Sequence, residues 1–371
     1  RTIAVVGPAA DDERLLQGDY SYPAHTEITW KQAGDRGILP TANASSGTFA
    51  AGPFYPPSIT PVAGVRAAVD ESCEVVHARG CDVIDEDRSG FAEAIDAARR
   101  SDVAIVCVGD RSGLLADCTS GEFRDVADLG LPGVQRELVE AVAATGTSTV
   151  LVVMSGRPHA LGDLAEQVDA ILYVWSPGQE GGAALTDVVF GAVAPSGRLP
   201  VSLPRAVGQV PVYHGHRAGG GRSQMLGDYV DLPTSPQWPF GFGLSYTTFE
   251  YASLSVSPDA PATGAPFSVS VDVTNTGTRA GTEVVQLYLR DDVARVARPV
   301  RVLAGFARTP LEAGETERVT FDVDPRRLAY YDEAMRLVIE PGTVTVMVGA
   351  SATDIRLKTQ ITLTGDELAL T

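Results

Sequence analysis

A lone glutamate, Glu122, stands in the middle of the segment Gly109 to Gly133 (GDRSGLLADCTSGEFRDVADLGLPG), with Arg124 and Asp125 close by and Asp110-Arg111 at the segment's start. A carboxyl group so framed can give and take a proton, chemistry in which carboxyls commonly work in pairs. The frame comes from its neighbours. Asp102 to Val108 (DVAIVCV) is almost wholly apolar and β-branched, the pattern of a strand buried on both faces of a parallel sheet. The glutamate loop therefore leaves the strand's carboxyl end, the edge of an open α/β sheet where ligands bind. Pro132 is expected to start the next helix, which runs through Val134, Leu138 and Val142 to Gly146. Position alone does not separate a working carboxylate from a solvated surface charge, since glutamate is mostly exposed. Arg124 and Asp125 read first as a surface ion pair holding the loop.

Other residues invite chemistry less strongly. Arg111, at a strand's carboxyl end, could grip hydroxyls or a carboxylate, or could anchor the loop. His159 after Arg157-Pro158, and the pair His214 and His216, have no carboxylate or cysteine at ligand spacing and no HExxH or GxSxG context. They read as surface or hydrogen-bonded histidines, and no metal is expected. Val5-Val6-Gly7-Pro8 opens a strand-to-helix turn without the GxGxxG of a dinucleotide site, so no cofactor is expected. A flavodoxin-like nucleotide binder would need a phosphate-cradling glycine loop that the sequence does not offer.

The elements that must position these residues fall into two patterns. Residues 1–245 alternate strand and helix: strands at Ile3 to Val6, Glu74 to Ala78, Val103 to Val108, Val150 to Met154 and Ala170 to Trp175; helices around Val62 to Val69, Phe91 to Ala98, Val134 to Ala144 and Ala183 to Phe190. This is an α/β sandwich with a mainly parallel sheet. The stretch Gln17 to Pro61 is a long irregular loop, of the kind that is functional or disordered. Residues 246–371 change to period two, with Phe267, Val269, Val271 and Val273 alternating with Ser268, Ser270 and Asp272 before an Asn275-Thr276-Gly277 turn. An all-β sandwich follows, and the absence of cysteines there excludes a disulfide-bonded antibody type.

The 371 residues carry a net charge of −18, which disfavours nucleic acid and anionic membrane as partners and suits a neutral ligand. No apolar run approaches the roughly 20 residues of a membrane-spanning helix. Cys73, Cys81, Cys107 and Cys118 follow no metal spacing; a Cys73–Cys81 disulfide is conceivable, but reduced thiols are favoured, and with them a cytoplasmic over a secreted chain, though the compartment stays open. Arg1 in place of an initiator methionine, followed at once by a buried strand, suggests a piece of a larger polypeptide or of a nicked one.

From Glu122 through Asp125, Asp128 and Leu129-Gly130-Leu131-Pro132 the spacing resembles the acid/base loop of glycoside hydrolase family 3, the β-glucosidase and β-xylosidase family. The same order continues in Trp175-Ser176-Pro177-Gly178-Gln179-Glu180-Gly181-Gly182, in Pro195-Ser196-Gly197-Arg198-Leu199-Pro200, and in Pro239 to Phe249 (PFGFGLSYTTF). Val285 to Leu289 (VQLYL), Leu303-Ala304-Gly305-Phe306 and Glu340-Pro341-Gly342 resemble the fibronectin-type-III-like module, an immunoglobulin-like sandwich, that closes many members. The resemblance implies that Glu122 is the general acid/base of a retaining β-glycosidase acting on a carbohydrate substrate. It further implies that the nucleophilic Asp, about 5 Å from it in the working site, lies on a (β/α)8 barrel domain or companion chain for which this sequence has no room. The loop Gly18-Asp19-Tyr20-Ser21-Tyr22 occupies the place of a sugar-touching turn in the family, which makes Ser21 and Tyr20 candidate substrate contacts alongside Arg111. Asp19 and Tyr20 replace glycines usual in one branch of the family, so Tyr20 or Tyr22 could stack on a sugar or pack in the core. The alternative is a non-catalytic carbohydrate-binding or scaffold protein that has kept this fold. Sugar and linkage specificity, oligomeric state and the barrel's position are not legible.

Overall fold

The computed structural model describes residues 1–25, 56–221 and 227–370. Most of the Gln17 to Pro61 loop lies outside the described residues. The chain divides into two compact units, Arg1–Ala192 with Ala206–Gly208, and Val193–Arg205 with Gln209–Thr371. By packing, therefore, the Pro195 to Pro200 and Pro239 to Phe249 motifs both belong to the second unit.

The first unit is built on five parallel strands, β1 (Thr2–Val6), β2 (Glu74–Ala78), β3 (Val103–Gly109), β4 (Ser148–Met154) and β5 (Ala170–Tyr173), ordered β2-β1-β3-β4-β5. The helices are α1 (Pro61–Ala68), α2 (Phe91–Arg99), α3 (Gln135–Ala143) and α4 (Gly181–Val189). Ile3, Val5, Ile105, Cys107, Val152 and Met154 turn one sheet face toward Val62 and Val65 of α1 and Leu185 of α4. The alternate residues Ala4, Val6, Val106, Val108, Leu151 and Val153 are equally buried on the other face, on the side of α2 and α3. Burial on both faces explains why β3 is apolar at every position and not only at alternate ones. Thr60 caps α1 by accepting the Ala63 N–H, and Pro61 follows where a missing N–H costs nothing. Helices α1 and α4 touch through glycine: a Cβ on Gly182 would stand 2.1 Å from the Thr60 carbonyl oxygen, and one on Gly64 2.4 Å from the Gly182 carbonyl.

Two of the boundaries that differ from the sequence reading have a clear local cause. Pro132 does not begin α3, which starts at Gln135; the proline lies in the preceding turn and offers its carbonyl to the Gln135 N–H. Strand β5 ends at Tyr173, because Trp175 turns into the left-handed region with φ 54° and its ring packs 4.6 Å from that of Tyr173.

The second unit pairs a three-stranded antiparallel sheet, β10 (Thr316–Val323), β7 (Phe267–Asn275) and β6 (Phe249–Ser257), with a four-stranded one, β12 (Ile355–Leu363), β11 (Gly342–Gly349), β8 (Gly281–Asp291) and β9 (Val302–Leu311). Phe267, Val269, Val271 and Val273 pack on Val285, Leu287, Leu289, Val344, Val346 and Val348 in one core. The turn residue Asn275 is fully buried and fully used. Its Oδ1 accepts from Thr247 Oγ1 and the Gly277 N–H, and its Nδ2 donates to the carbonyls of Arg279 and Leu311. Three family-like motifs interlock here. Arg198 of the Pro195 to Pro200 run meets Glu283 at 2.9 Å with both side chains buried, and Gln286 donates to the carbonyls of Gly241 and Ala350.

Candidate functional site

In the order β2-β1-β3-β4-β5 the chain leaves β1 toward one side and β3 toward the other, which makes the border of these two strands the switch point at whose carboxyl edge open α/β sheets bind ligands. The loops beyond their carboxyl ends carry Tyr20 and Glu122. The exit from β3 is fixed by glycine and a buried amide. A Cβ on Gly109, whose φ is +148°, would lie 1.8 Å from the Met154 carbonyl oxygen. Gln135, fully buried at the start of α3, accepts the Gly109 N–H and donates to the carbonyls of Gly109 and Val83, all at 2.8 to 2.9 Å.

Beyond this exit a polar network is sealed beneath the loop. Asp110 is 2% exposed. It accepts from Thr119 Oγ1 at 2.7 Å and from Ser155 Oγ, while His159 Nε2 lies 3.0 Å from its Oδ2. The other ring nitrogen of His159 lies 3.1 Å from the carbonyl oxygens of Leu129 and Gly130. The ring thus bridges the strand end to the far side of the loop, a buried hydrogen-bonded role, and not a ligand position. Burial alone would raise the Asp110 carboxyl, but hydrogen bonds from His159, Ser155 and Thr119, with the His159 charge, outweigh it and hold the group below the usual aspartate value.

Glu122 rides at the tip of a tight turn in which Arg124 N–H returns to the Gly121 carbonyl. Phe123, at the turn's third position, has φ +62°, a conformation that normally falls to glycine there, and its ring is 81% exposed. The Glu122 carboxylate is solvent-exposed and accepts from Tyr20 Oη at 3.0 Å, while the Glu122 N–H donates to Asp19 Oδ2 at 2.7 Å. The Glu122 contact raises the Tyr20 hydroxyl above its ordinary value. The first-strand loop and the β3 loop are joined a second time by Arg14, which is 1% exposed and donates to the Ser112 carbonyl.

The structure brings Tyr20 to Glu122 directly, and Ser21 only to its vicinity. The Ser21 hydroxyl donates to the Gly18 carbonyl at 2.8 Å and accepts the Ala24 N–H, holding its own turn. The Arg111 guanidinium reaches Asp117 at 2.9 Å with both side chains 12% exposed, and its backbone pairs with Thr119 and Ser120. These contacts are those of a loop anchor. Arg124 does not pair with Asp125, contrary to the surface ion-pair reading: it donates to the Leu114 carbonyl, and no ion pair joins the two residues among those described. An open cavity of about 450 Å³ lies beside the loop, lined by Asp110, Thr119, Phe123, Asp125, Asp128 and Arg157 among others, with Glu122 outside its lining.

The remaining candidates are placed in the structural scaffold. His214 stacks on Phe240 with ring centroids 4.1 Å apart, and His216 Nδ1 lies 3.0 Å from the Arg217 carbonyl. All four cysteines are free thiols, and burial pushes Cys107 up to about 12. Among the described residues no group of three or more His, Cys, Asp or Glu side chains is placed to hold a metal ion, and no helix is long and apolar enough to cross a membrane. Sequence reasoning missed Asp19, Arg157, Gln135 and the Asp110–Ser155–His159 network. The available signal was Ser155-Gly156-Arg157-Pro158-His159 directly after β4, a polar cluster at the same sheet edge as Asp110.

Comparison with known proteins places these features. Residues 1–246 match the glycosyl hydrolase family 3 C-terminal domain, and residues 283–352 match the fibronectin type III-like domain. The chain is 39% identical over 362 residues to a β-xylosidase of Formosa agariphila, covering 97% of this chain and 45% of that protein. It is 35% identical to a periplasmic β-glucosidase of Salmonella typhimurium, covering 96% of this chain and 45% of that one. A crystal structure of the β-glucosidase from Listeria innocua in complex with glucose superposes with a TM-score of 0.80 at 30% identity, over 98% of this chain and 46% of the other. The chain thus spans about half the length of the relatives it matches. The parallel sheet with its covering helices and the antiparallel sandwich after it carry these two matches in order, and the chain belongs to glycosyl hydrolase family 3.

Proposed function

We propose that this chain contributes the general acid/base to a retaining β-glycosidase that releases terminal β-linked glucose or xylose, and that Glu122 is that group. The observation that supports this most directly is the placement of Glu122. It is a carboxylate at the sheet's ligand-binding edge, on the tip of a turn, with its backbone held by Asp19 and its side chain by Tyr20. In the first step the protonated carboxyl gives its proton to the glycosidic oxygen as the bond from C1 to that oxygen breaks. The nucleophilic carboxylate meanwhile forms the glycosyl ester. In the second step Glu122, now ionised, takes a proton from the water that attacks C1 as the bond from C1 to the ester oxygen breaks and frees the nucleophilic carboxylate. The nucleophile belongs in this reading to a (β/α)8 barrel domain or companion chain; among the described residues there is one five-stranded parallel sheet and no such barrel. An acid of this kind works best desolvated, and Glu122 is exposed here, so substrate or the barrel has to supply that burial. Tyr20 fits a dual role, touching both Glu122 and sugar. Ser21 and Arg111, proposed as further sugar contacts, would have to exchange their present local partners for the ligand. Residues 1–245 are assigned as the catalytic module and 246–371 as the fibronectin-like module.

The test is Glu122→Ala in the complete polypeptide, assayed on aryl β-glucosides and β-xylosides of graded leaving-group ability. Loss of acid assistance predicts a fall of about 100-fold or more on phenyl glycosides and a far smaller one on dinitrophenyl glycosides. An equal loss on both would remove Glu122 from this role. The isolated chain is expected to turn over neither substrate until the barrel-bearing partner is added.

A further inference from the structure

The acid/base loop is held from below by a residue with no assigned role. Arg157, half-buried just past the end of β4, extends its guanidinium under the loop. Nη1 donates to the Thr119 carbonyl at 2.8 Å and Nη2 to the Arg124 carbonyl at 2.5 Å. Those two carbonyls bracket the segment that contains Glu122. Among the described residues no carboxylate pairs with Arg157, so its charge is spent on two neutral acceptors of one loop. A planar fork can span two such oxygens at once, which a lysine ammonium on a flexible stem cannot.

The backbone of Arg157 is itself held. The Arg157 N–H donates to Ser155 Oγ at 3.0 Å, and the Arg157 carbonyl accepts from Tyr173 Oη; Ser155 Oγ, whose one proton goes to Asp110, lies 3.0 Å from that carbonyl. Ser155 is tied in turn to Asp110 and His159. The arginine therefore stands on the rigid ends of β3, β4 and β5, and the loop hangs on it. The bracketed segment needs such support. Phe123 sits at φ +62°, a conformation that costs a non-glycine residue energy and persists only where the surroundings impose it.

We propose that Arg157 is the positioning residue of the acid/base loop, fixing the height and tilt of the Glu122 turn by clamping both of its ends to the sheet. The proposal rests on the assignment of Glu122 above. Proton donation to a leaving oxygen demands placement within a fraction of an ångström, and an error near 1 Å costs about 100-fold. Removing one of two clamped ends therefore weakens acid assistance without touching substrate.

The experiment uses the complete polypeptide with Glu122→Ala, Arg157→Lys and Arg157→Ala, measuring kcat/KM on phenyl and dinitrophenyl glycosides alongside amide hydrogen exchange. Arg157→Lys is expected to lose about 10-fold on the phenyl glycoside and little on the dinitrophenyl one, with Arg157→Ala steeper in the same sense. Exchange should speed up over residues 119–124 while β3 and β4 stay protected. Should Arg157→Ala fail to fold, Arg157→Lys still decides the matter. A steep leaving-group dependence for Glu122→Ala with a uniform loss for Arg157→Lys overturns the clamp and leaves the acid/base assignment standing. No leaving-group dependence for Glu122→Ala overturns both.

Discussion

Asp110→Asn isolates the buried network from the catalytic question. The substitution keeps the side chain's shape and removes its charge and one of its two acceptor oxygens. Asp110 now serves three donors with two oxygens, Thr119 on Oδ1 and both Ser155 and His159 on Oδ2. An asparagine can satisfy one side only, and its amide group must face either the threonine hydroxyl or the serine and histidine. Hydrogen bonds to a charged group contribute about 1.5–3 kcal/mol each, and a buried donor left without an acceptor costs a further ~1–3 kcal/mol. With the site 2% exposed there is little water to compensate. The first unit should lose about 3 kcal/mol, which for a unit of this size lowers Tm by roughly 6–12 °C.

The pH dependence carries the sharper test. The folded Asp110 carboxyl is held below its ordinary value. Its stabilisation is therefore fully present above the unfolded value near ~3.9 and is lost as pH falls through the lower, folded value. Calorimetry or urea unfolding of the two proteins at matched pH should show the gap at pH 7 and still show it at about pH 5. Below that the gap should close as the native carboxylate is protonated in turn. A gap absent at pH 7, or one that stays open at the acid end, would refute the claim that the network is held by an ionised Asp110.

Two further substitutions probe the frame. Gly109→Ala places a Cβ 1.8 Å from the Met154 carbonyl oxygen at a φ of +148°, and should cost about 3 kcal/mol or more by forcing β3 and β4 apart, read as lost amide protection along both strands. Arg198→Met leaves Glu283 buried without its ion-pair partner, the Val284 N–H alone still donating to it among the bonds described, and should destabilise the second unit by about 3–5 kcal/mol. The double substitution Arg198→Met with Glu283→Gln should recover most of that loss in the same unfolding assay, since no buried charge then lacks a partner.

The fold was legible because burial writes itself into periodicity. A short, β-branched apolar run such as that of β3 reads as a strand covered on both faces, and the alternation around Val269 to Val273 as a sheet with one wetter side. Boundaries were less legible, since they depend on single backbone conformations. Pro132 satisfies the preference for a first helical residue, yet the chain spends Gly133 at φ +56° and Val134 before the helix starts, so that Gln135 can enter the core and cap the end of β3. A buried glutamine that serves the backbone of another element looks in sequence like any surface residue at a helix start.

The site divides the same way. Glu122 stands as the proposed acid/base because a resemblance singled it out. Three of its supports were invisible because each is a polar side chain whose partner is a backbone atom far along the chain: Asp19 takes an N–H from Glu122, Arg157 gives to Thr119 and Arg124, and Arg14 gives to Ser112. Backbone atoms have no residue type, so no pairing of types could reveal these bonds. What the sequence could have shown is that three consecutive strand ends each close on a polar cluster, after β1, β3 and β4, where a merely structural edge needs only turns. Polar groups gathered at one sheet edge and then buried must satisfy one another. Here they do so largely by holding a single loop in a strained turn, which leaves one exposed carboxylate at its tip.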